Sequence, residues 1–160
     1  MARQCTFGIE EEYLLVKLAT GQVMAAPSAA VARCCRDALG PWFAEEMFHS
    51  QIEAASPIFD ALHQARDFFG ERRQRLAQAL AEEGAGLYGA ASHPSARWLR
   101  QRPRGTAHYR QLFDDYQLVA RRSLLNGLHV HVGVPVGIDR IRVINRVLYW
   151  LCLLYTSDAA

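Results

Sequence analysis

Three consecutive carboxylates stand in a stretch that otherwise reads as a strand: Gly8-Ile9-Glu10-Glu11-Glu12-Tyr13-Leu14-Leu15-Val16. Tyr13 to Val16 is aromatic, aliphatic and β-branched, and Thr6-Phe7-Gly8-Ile9 leads in with the same character, so a strand is predicted despite the acids. Successive strand side chains point to opposite faces. Glu10 and Glu12 therefore share one face about 7 Å apart, and Glu11 turns the other way. Like charges that close raise each other's pKa unless a cation lies between them or water solvates them fully. One chemistry for the pair is hard oxygen ligation of Mg²⁺ or Mn²⁺. The other reading is an exposed acidic edge strand.

A second pair has the same spacing. Leu128-His129-Val130-His131-Val132-Gly133-Val134 is the clearest strand in the chain, with His129 and His131 on one face and valines filling the other. Two histidines on one strand face can supply metal ligands or a proton donor near a phosphate. Between these strands, Glu45 to Glu53 alternates loosely like a third. In one continuous register Met47, His49, Gln51 and Glu53 share a face, and Glu46 falls opposite Glu53 unless it sits where the backbone turns.

The remaining elements have to position these groups. Ala19 to Gln22 reads as a turn, with Val23 to Ala26 returning as a short antiparallel partner. Ser28 caps a helix through Leu39, which Gly40 stops and Pro41 keeps from continuing. Ser56-Pro57 reads as a helix start, followed at helical spacing by the apolar residues Ile58, Leu62, Ala65, Phe69, Leu76 and Leu80, and the helix ends near Glu83. Leu87 to Ala91 reads as a short strand leading into Ser92-His93-Pro94. Arg97, Arg100, Arg102 and Arg104, with Trp98 and Pro103, mark a mobile basic loop that is either solvated surface or a lid over an anionic substrate. Tyr109, Leu112, Phe113, Tyr116 and Val119 line one face of a helix from Thr106 to Leu125, closed by Asn126-Gly127. A last helix starts at Gly137-Ile138-Asp139 and presents Ile141, Ile144, Val147, Leu148 and Leu151 on one side.

These elements describe an α+β chain of antiparallel strands and packed helices. Its 160 residues fit one domain, without repeats or linkers, and are 51% apolar and 21% charged, as in an ordinary globular protein. A formal net charge of +2 gives no reason to expect nucleic acid as a partner. No apolar run approaches the roughly 20 residues of a membrane span. Of the 18 basic residues only Lys17 is a lysine. Cys5, Cys34, Cys35 and Cys152 show no metal spacing, and no hydrophobic signal segment opens the chain, so reduced cysteines and a cytoplasmic location are expected.

Taken in order, several pieces are more specific than any one alone. Thr6 to Tyr13, Ser50-Gln51-Ile52-Glu53 leading to Ser56-Pro57, Ser92-His93-Pro94, and Gly127-Leu128-His129-Val130-His131-Val132-Gly133 together resemble the glutamate-cysteine ligase type 2 family, bacterial carboxylate-amine ligases related to glutamine synthetase. The resemblance covers residues 4 to about 153. It implies part of a glutamine synthetase-like funnel or half-barrel, an antiparallel sheet that holds metal ions and nucleotide phosphates. It further implies an ATP-dependent ligase joining glutamate to cysteine or another amine through γ-glutamyl phosphate, with Mg²⁺ or Mn²⁺ as cofactor. By matching motif, the metal residues would be Glu10, Glu12, Glu46, Glu53 and His129. Glu10, Glu12, Glu53 and His129 would meet the nucleotide through the ions, and His129 and His131 would act in catalysis. His93 and Pro94 match a family motif without an assigned role. The partners implied are small molecules, and a homo-oligomer is compatible with them.

The chain departs from that pattern in places. His108 stands before Tyr109 where relatives are expected to carry arginine. Family members are much longer, so residues 1–153 read as the N-terminal portion of one catalytic domain. Residues 154–160 do not resemble the family's continuation and read as a truncated or foreign tail, which would leave this polypeptide an inactive fragment with exposed strand edges and apolar surface. Two alternatives remain at this point. A metal-dependent amidohydrolase could use the His-x-His strand, and would carry many β-α units of a barrel. A fragment that only binds metal is the other. A P-loop is excluded, because the sequence has no Gly-x-x-x-x-Gly-Lys-Ser/Thr run.

Overall fold

The computed structural model describes residues 5–157. Residues 1–4 and the last three of the expected tail, 158–160, lie outside it. The acidic stretch is strand β1 (Thr6–Lys17), and the whole sheet is arranged along it. One edge of β1 carries β3 (Gln51–Ala55), which pairs in turn with β2 (Phe43–Glu45). The other edge is shared end to end. There β5 (Leu128–Gly133) lies along residues 6–11 of β1, and β4 (Ala85–Tyr88) lies along residues 14–17. Every one of these pairings is antiparallel. That is the α+β architecture predicted, and it is not the parallel sheet of repeated β-α units that the amidohydrolase alternative requires.

The period of two along β1 gives the sheet two unlike faces. On one, Tyr13, Leu15, Ile52 and Ala54 pack against Val31, Cys35 and Leu39 of α1 (Ala29–Leu39) and Ala65, Phe69, Leu76 and Leu80 of α2 (Leu62–Glu82). On the other, Leu14 and Phe48 pack with Phe113 and Ala120 of α3 (Ala107–Arg122) and with Leu124 beyond it. Each large side chain so buried contributes about 1.5–3 kcal/mol. Glu10 and Glu12 fall on the α3 face.

Glu11, on the α1 and α2 face, is buried with its charge matched. Arg73 of α2 donates from Nε to Glu11 Oε2 at 2.9 Å and from a second nitrogen to Oε1, and the Tyr13 hydroxyl also donates to Oε2. This fork ties the middle of α2 to the centre of β1. The stride Phe69, Arg73, Leu76, Leu80 puts Arg73 in line with the buried residues of α2, its side chain half in water.

Some elements differ from the sequence reading. Ser56-Pro57 does not start a helix. The Ser56 hydroxyl accepts the Ile9 N–H at 2.8 Å, and Phe59 exchanges two backbone hydrogen bonds with Phe7. The sheet edge thus holds this segment extended, and α2 begins only at Leu62, where Gln64 Oε1 accepts the N–H groups of Asp60 and Ala61. Ile58 and Leu62 are therefore exposed, not core. The middle of the Glu45 to Glu53 segment is not a strand: β2 ends at Glu45, β3 begins at Gln51, and Phe48 is buried at the turn between them. Val23 makes a single bridge to Val16 in place of a strand. In α3 the backbone breaks at Gln117 (φ 42°), which rotates Tyr116 and Val119 into solvent while Phe113 and Ala120 stay buried.

The arginine segment 97–104 is not a free loop. His49 N–H donates to Arg102 O at 3.0 Å, Arg104 N–H donates to Met47 O at 2.9 Å, and Phe48 bridges to Pro103. His93 has a structural place: its Nε2 lies 2.9 Å from Gly21 O and its ring packs on Tyr88. Ser28 caps α1 as expected, and α4 (Arg140–Ser157) is capped by Asp139. The valine face of β5 is not filled: Val130 is 57% and Val132 59% exposed.

Candidate metal centre

Residues directly opposite in an antiparallel pair share a face. Glu10 stands opposite His129, and Glu12 stands opposite Glu53. Three neighbouring strands therefore converge four of the candidate residues by alternation alone. Glu46 arrives differently. The backbone turns after β2 and is held there by Arg104, whose Nε donates to Glu46 O at 2.9 Å. That turn brings the Glu46 carboxyl beside Glu53 and resolves the alternative left open by the sequence.

Ligand atoms of Glu10, Glu53 and His129 all lie within 4.8 Å of one another, and so do those of Glu12, Glu46 and Glu53. Glu53 belongs to both groups. His129 Nδ1 is 3.3 Å from Glu10 Oε2 and 3.7 Å from Glu12 Oε1. His131 Nε2 lies 3.1 Å from Glu10 Oε2, one step outside the two groups.

The charges are strained in a way that follows from this packing. Burial, then the charges of Glu10, Glu46 and Glu12, push Glu53 up to about 7. Burial, then the charge of Glu12, also raise Glu46. Glu10 moves the other way, because the hydrogen bond from His131 holds it below the usual carboxylate range despite some burial. Nearby, burial and Glu46 push the Tyr109 phenol up to about 12, while its hydroxyl donates to Glu45 O at 3.0 Å. A cation placed among the carboxylates would reverse the strain on Glu53 and Glu46.

Four carboxylates and one imidazole form a mostly hard oxygen donor set, which fits Mg²⁺ or Mn²⁺. At Gly127 the backbone passes close against two of these donors. A Cβ there would lie 2.8 Å from His129 Nε2 and 3.0 Å from Glu12 Oε1. Gly127, Asn126, Gln51 and Arg104 support the cluster, a role the sequence does not announce. Gln51 and Gly127 stand there only within family motifs, Asn126-Gly127 as a helix stop and Arg104 in the basic segment, because the supporting contacts pair across long stretches of chain.

A family model described as glutamate-cysteine ligase family 2 (GCS2) matches residues 6–156. The chain belongs to that family. One relative, from Pseudomonas entomophila and provisionally named glutamate–cysteine ligase 2, is 72% identical over 153 residues, covering 96% of this chain and 40% of the relative. The chain thus spans about two fifths of the length of the curated relatives it matches. Among solved structures, a bifunctional glutathione synthetase from Pasteurella multocida superposes with a TM-score of 0.65 at 18% identity, over 91% of this chain and 19% of that one. A glutamate–cysteine ligase from Francisella tularensis, crystallised with AMP, gives a TM-score of 0.60 at 14% identity, over 92% of this chain and 30% of that one. At these identities the two structures share the fold with this GCS2 chain.

Proposed function

We propose that the protein to which this chain belongs is an ATP-dependent carboxylate-amine ligase of the glutamate–cysteine ligase type, converting glutamate, cysteine and ATP to γ-glutamylcysteine, ADP and phosphate in the cytoplasm. The observation that carries the reading is the pair of donor groups sharing Glu53 on one face of a GCS2 sheet. A γ-carboxylate is a poor electrophile. Transfer of the ATP γ-phosphoryl group to a carboxylate oxygen makes that oxygen a leaving group, and the amine nitrogen then displaces phosphate to form the amide.

Glu10, Glu53 and His129 would hold one divalent cation, and Glu12, Glu46 and Glu53 a second. Such ions, when bound, offset phosphate charge and align donor and acceptor oxygens. The chain's own residues do the rest of the work at this face. Glu53 would ligate as the carboxylate, so ligation would release any proton it carries. His131 orients Glu10 through its hydrogen bond, and His129 and His131 are proposed to offer a ring N–H to a departing phosphate oxygen.

The test is γ-glutamylcysteine formation, followed by mass spectrometry, in this chain extended with the C-terminal portion of a close family relative. Product dependent on ATP, glutamate and cysteine is expected, falling at least about 100-fold in Glu53→Gln. Undiminished product in Glu53→Gln would remove the cluster from the mechanism, and no amide with any amine tried would remove the ligase reading.

A further inference from the structure

The α3 face of the sheet buries two amide side chains, Gln51 at 2% exposure and Asn126 at 7%. Buried amides destabilise unless their polar atoms are matched. Gln51 Nε2, from β3, donates to Leu125 O at 2.7 Å and to Asn126 Oδ1 at 3.3 Å. Asn126 Nδ2 donates to Tyr88 O at 3.2 Å and Ala90 O at 3.0 Å, at and just past the end of β4. The Asn126 N–H donates to Ala91 O at 2.8 Å. These bonds reach from β3 across β1 to the gap between β4 and β5.

The series ends on the cluster. The Gly127 N–H donates to Glu12 Oε2 at 2.9 Å, and its carbonyl accepts the Glu12 N–H at 3.1 Å. The terminal torsion of a glutamate side chain is broad and needs an external partner to fix it. With Oε2 bound to Gly127, the Oε1 atom is turned toward His129.

We infer that Asn126 and Gln51 are positioning residues for Glu12 and His129, acting through Gly127 without touching a substrate. The assignment rests on the metal-centre reading of the proposed function. Outer partners of ligating side chains commonly change metal affinity by about 10–100-fold when removed. A side chain that merely stabilised the fold would leave that affinity alone.

The test uses the 160-residue chain with Asn126→Ala, Gln51→Met and, as a control for stability on the opposite face, Leu80→Ala. Two signals are read: the Gly127 amide by nitrogen-15 NMR, with its hydrogen exchange, and Mn²⁺ affinity by electron paramagnetic resonance. In Asn126→Ala the Gly127 amide is expected to shift and exchange at least about tenfold faster relative to α2 amides. The Mn²⁺ Kd is expected to rise about tenfold, whereas Leu80→Ala leaves it unchanged. A Gly127 amide or a Kd equal to the parent's overturns the inference. If Asn126→Ala does not fold, Gln51→Met gives the same two signals with the same consequences. If the parent binds no Mn²⁺ but its Gly127 amide responds as described, the metal centre is refuted and the clamp on Glu12 stands.

Discussion

At the scale of residues, the site joins a local pattern to a non-local one. Glu10 with Glu12, and His129 with His131, were legible because alternation is a property of each strand alone. Glu46 depended on a turn, and the Gln51 bonds to Leu125 and Asn126 span more than 70 residues, which periodicity does not encode. Glu53 has a consequence in solution. Its folded-state pKa is raised from 4.5 to about 7, so its contribution to stability is fully present below 4.5 and is lost as pH rises through about 7. Metal binding runs the opposite way, since ligation requires the carboxylate. Mn²⁺ affinity is expected to rise between about pH 5.5 and 8, with roughly one proton released per ion near pH 6 and little near pH 8. Calorimetry in two buffers of different ionisation enthalpy reads that proton; a flat affinity with no proton release contradicts the assignment.

At the scale of elements, local signals and sheet pairing compete. Ser56-Pro57 has the chemistry of a helix start, but its hydroxyl is used by Ile9 and the chain stays extended to Phe59. The predicted boundaries of α1, and of β1 to within a residue, held because nothing non-local opposes them. The tie between α2 and β1 is the strongest expression of the non-local part. Removing Arg73 leaves the Glu11 carboxylate buried with Tyr13 as its hydrogen-bond donor. Arg73→Met is expected to lower stability by about 2–3 kcal/mol, below the range for fully buried pairs because Arg73 itself is half in water. Glu11→Leu and Tyr13→Phe combined with Arg73→Met are expected to recover most of that loss, since an apolar group needs neither charge matching nor a partner for the Tyr13 hydroxyl. Urea unfolding of the three chains measures both differences; equal midpoints for Arg73→Met and the parent would assign the pair no role in stability.

At the scale of the molecule, the sheet is well packed over β1, β3 and β4 and bare at β5. The β1, β3 and β4 portion is covered by α1 and α2, while Leu128, Val130 and Val132 of β5 and Ile141, Ile144 and Leu148 of α4 remain exposed. A cavity of about 660 Å³ lies between β5 and α4, lined by Val132, Val134, Val143, Ile144, Val147 and Leu151. Among the described residues no helix is long and apolar enough to cross a membrane. The expected antiparallel sheet is present in a chain that spans about two fifths of its relatives' length. The five donors all come from β1, β3, β5 and the turn after β2. Metal binding should therefore survive in this chain alone. The most direct measurement is an Mn²⁺ titration of the 160-residue chain at about pH 8, where Glu53 is ionised, followed by electron paramagnetic resonance. The expected result is saturable binding that weakens by at least about tenfold in Glu53→Gln and is unchanged in Glu71→Gln on the exposed side of α2. Equal affinity in the parent and Glu53→Gln would contradict a metal centre on this face.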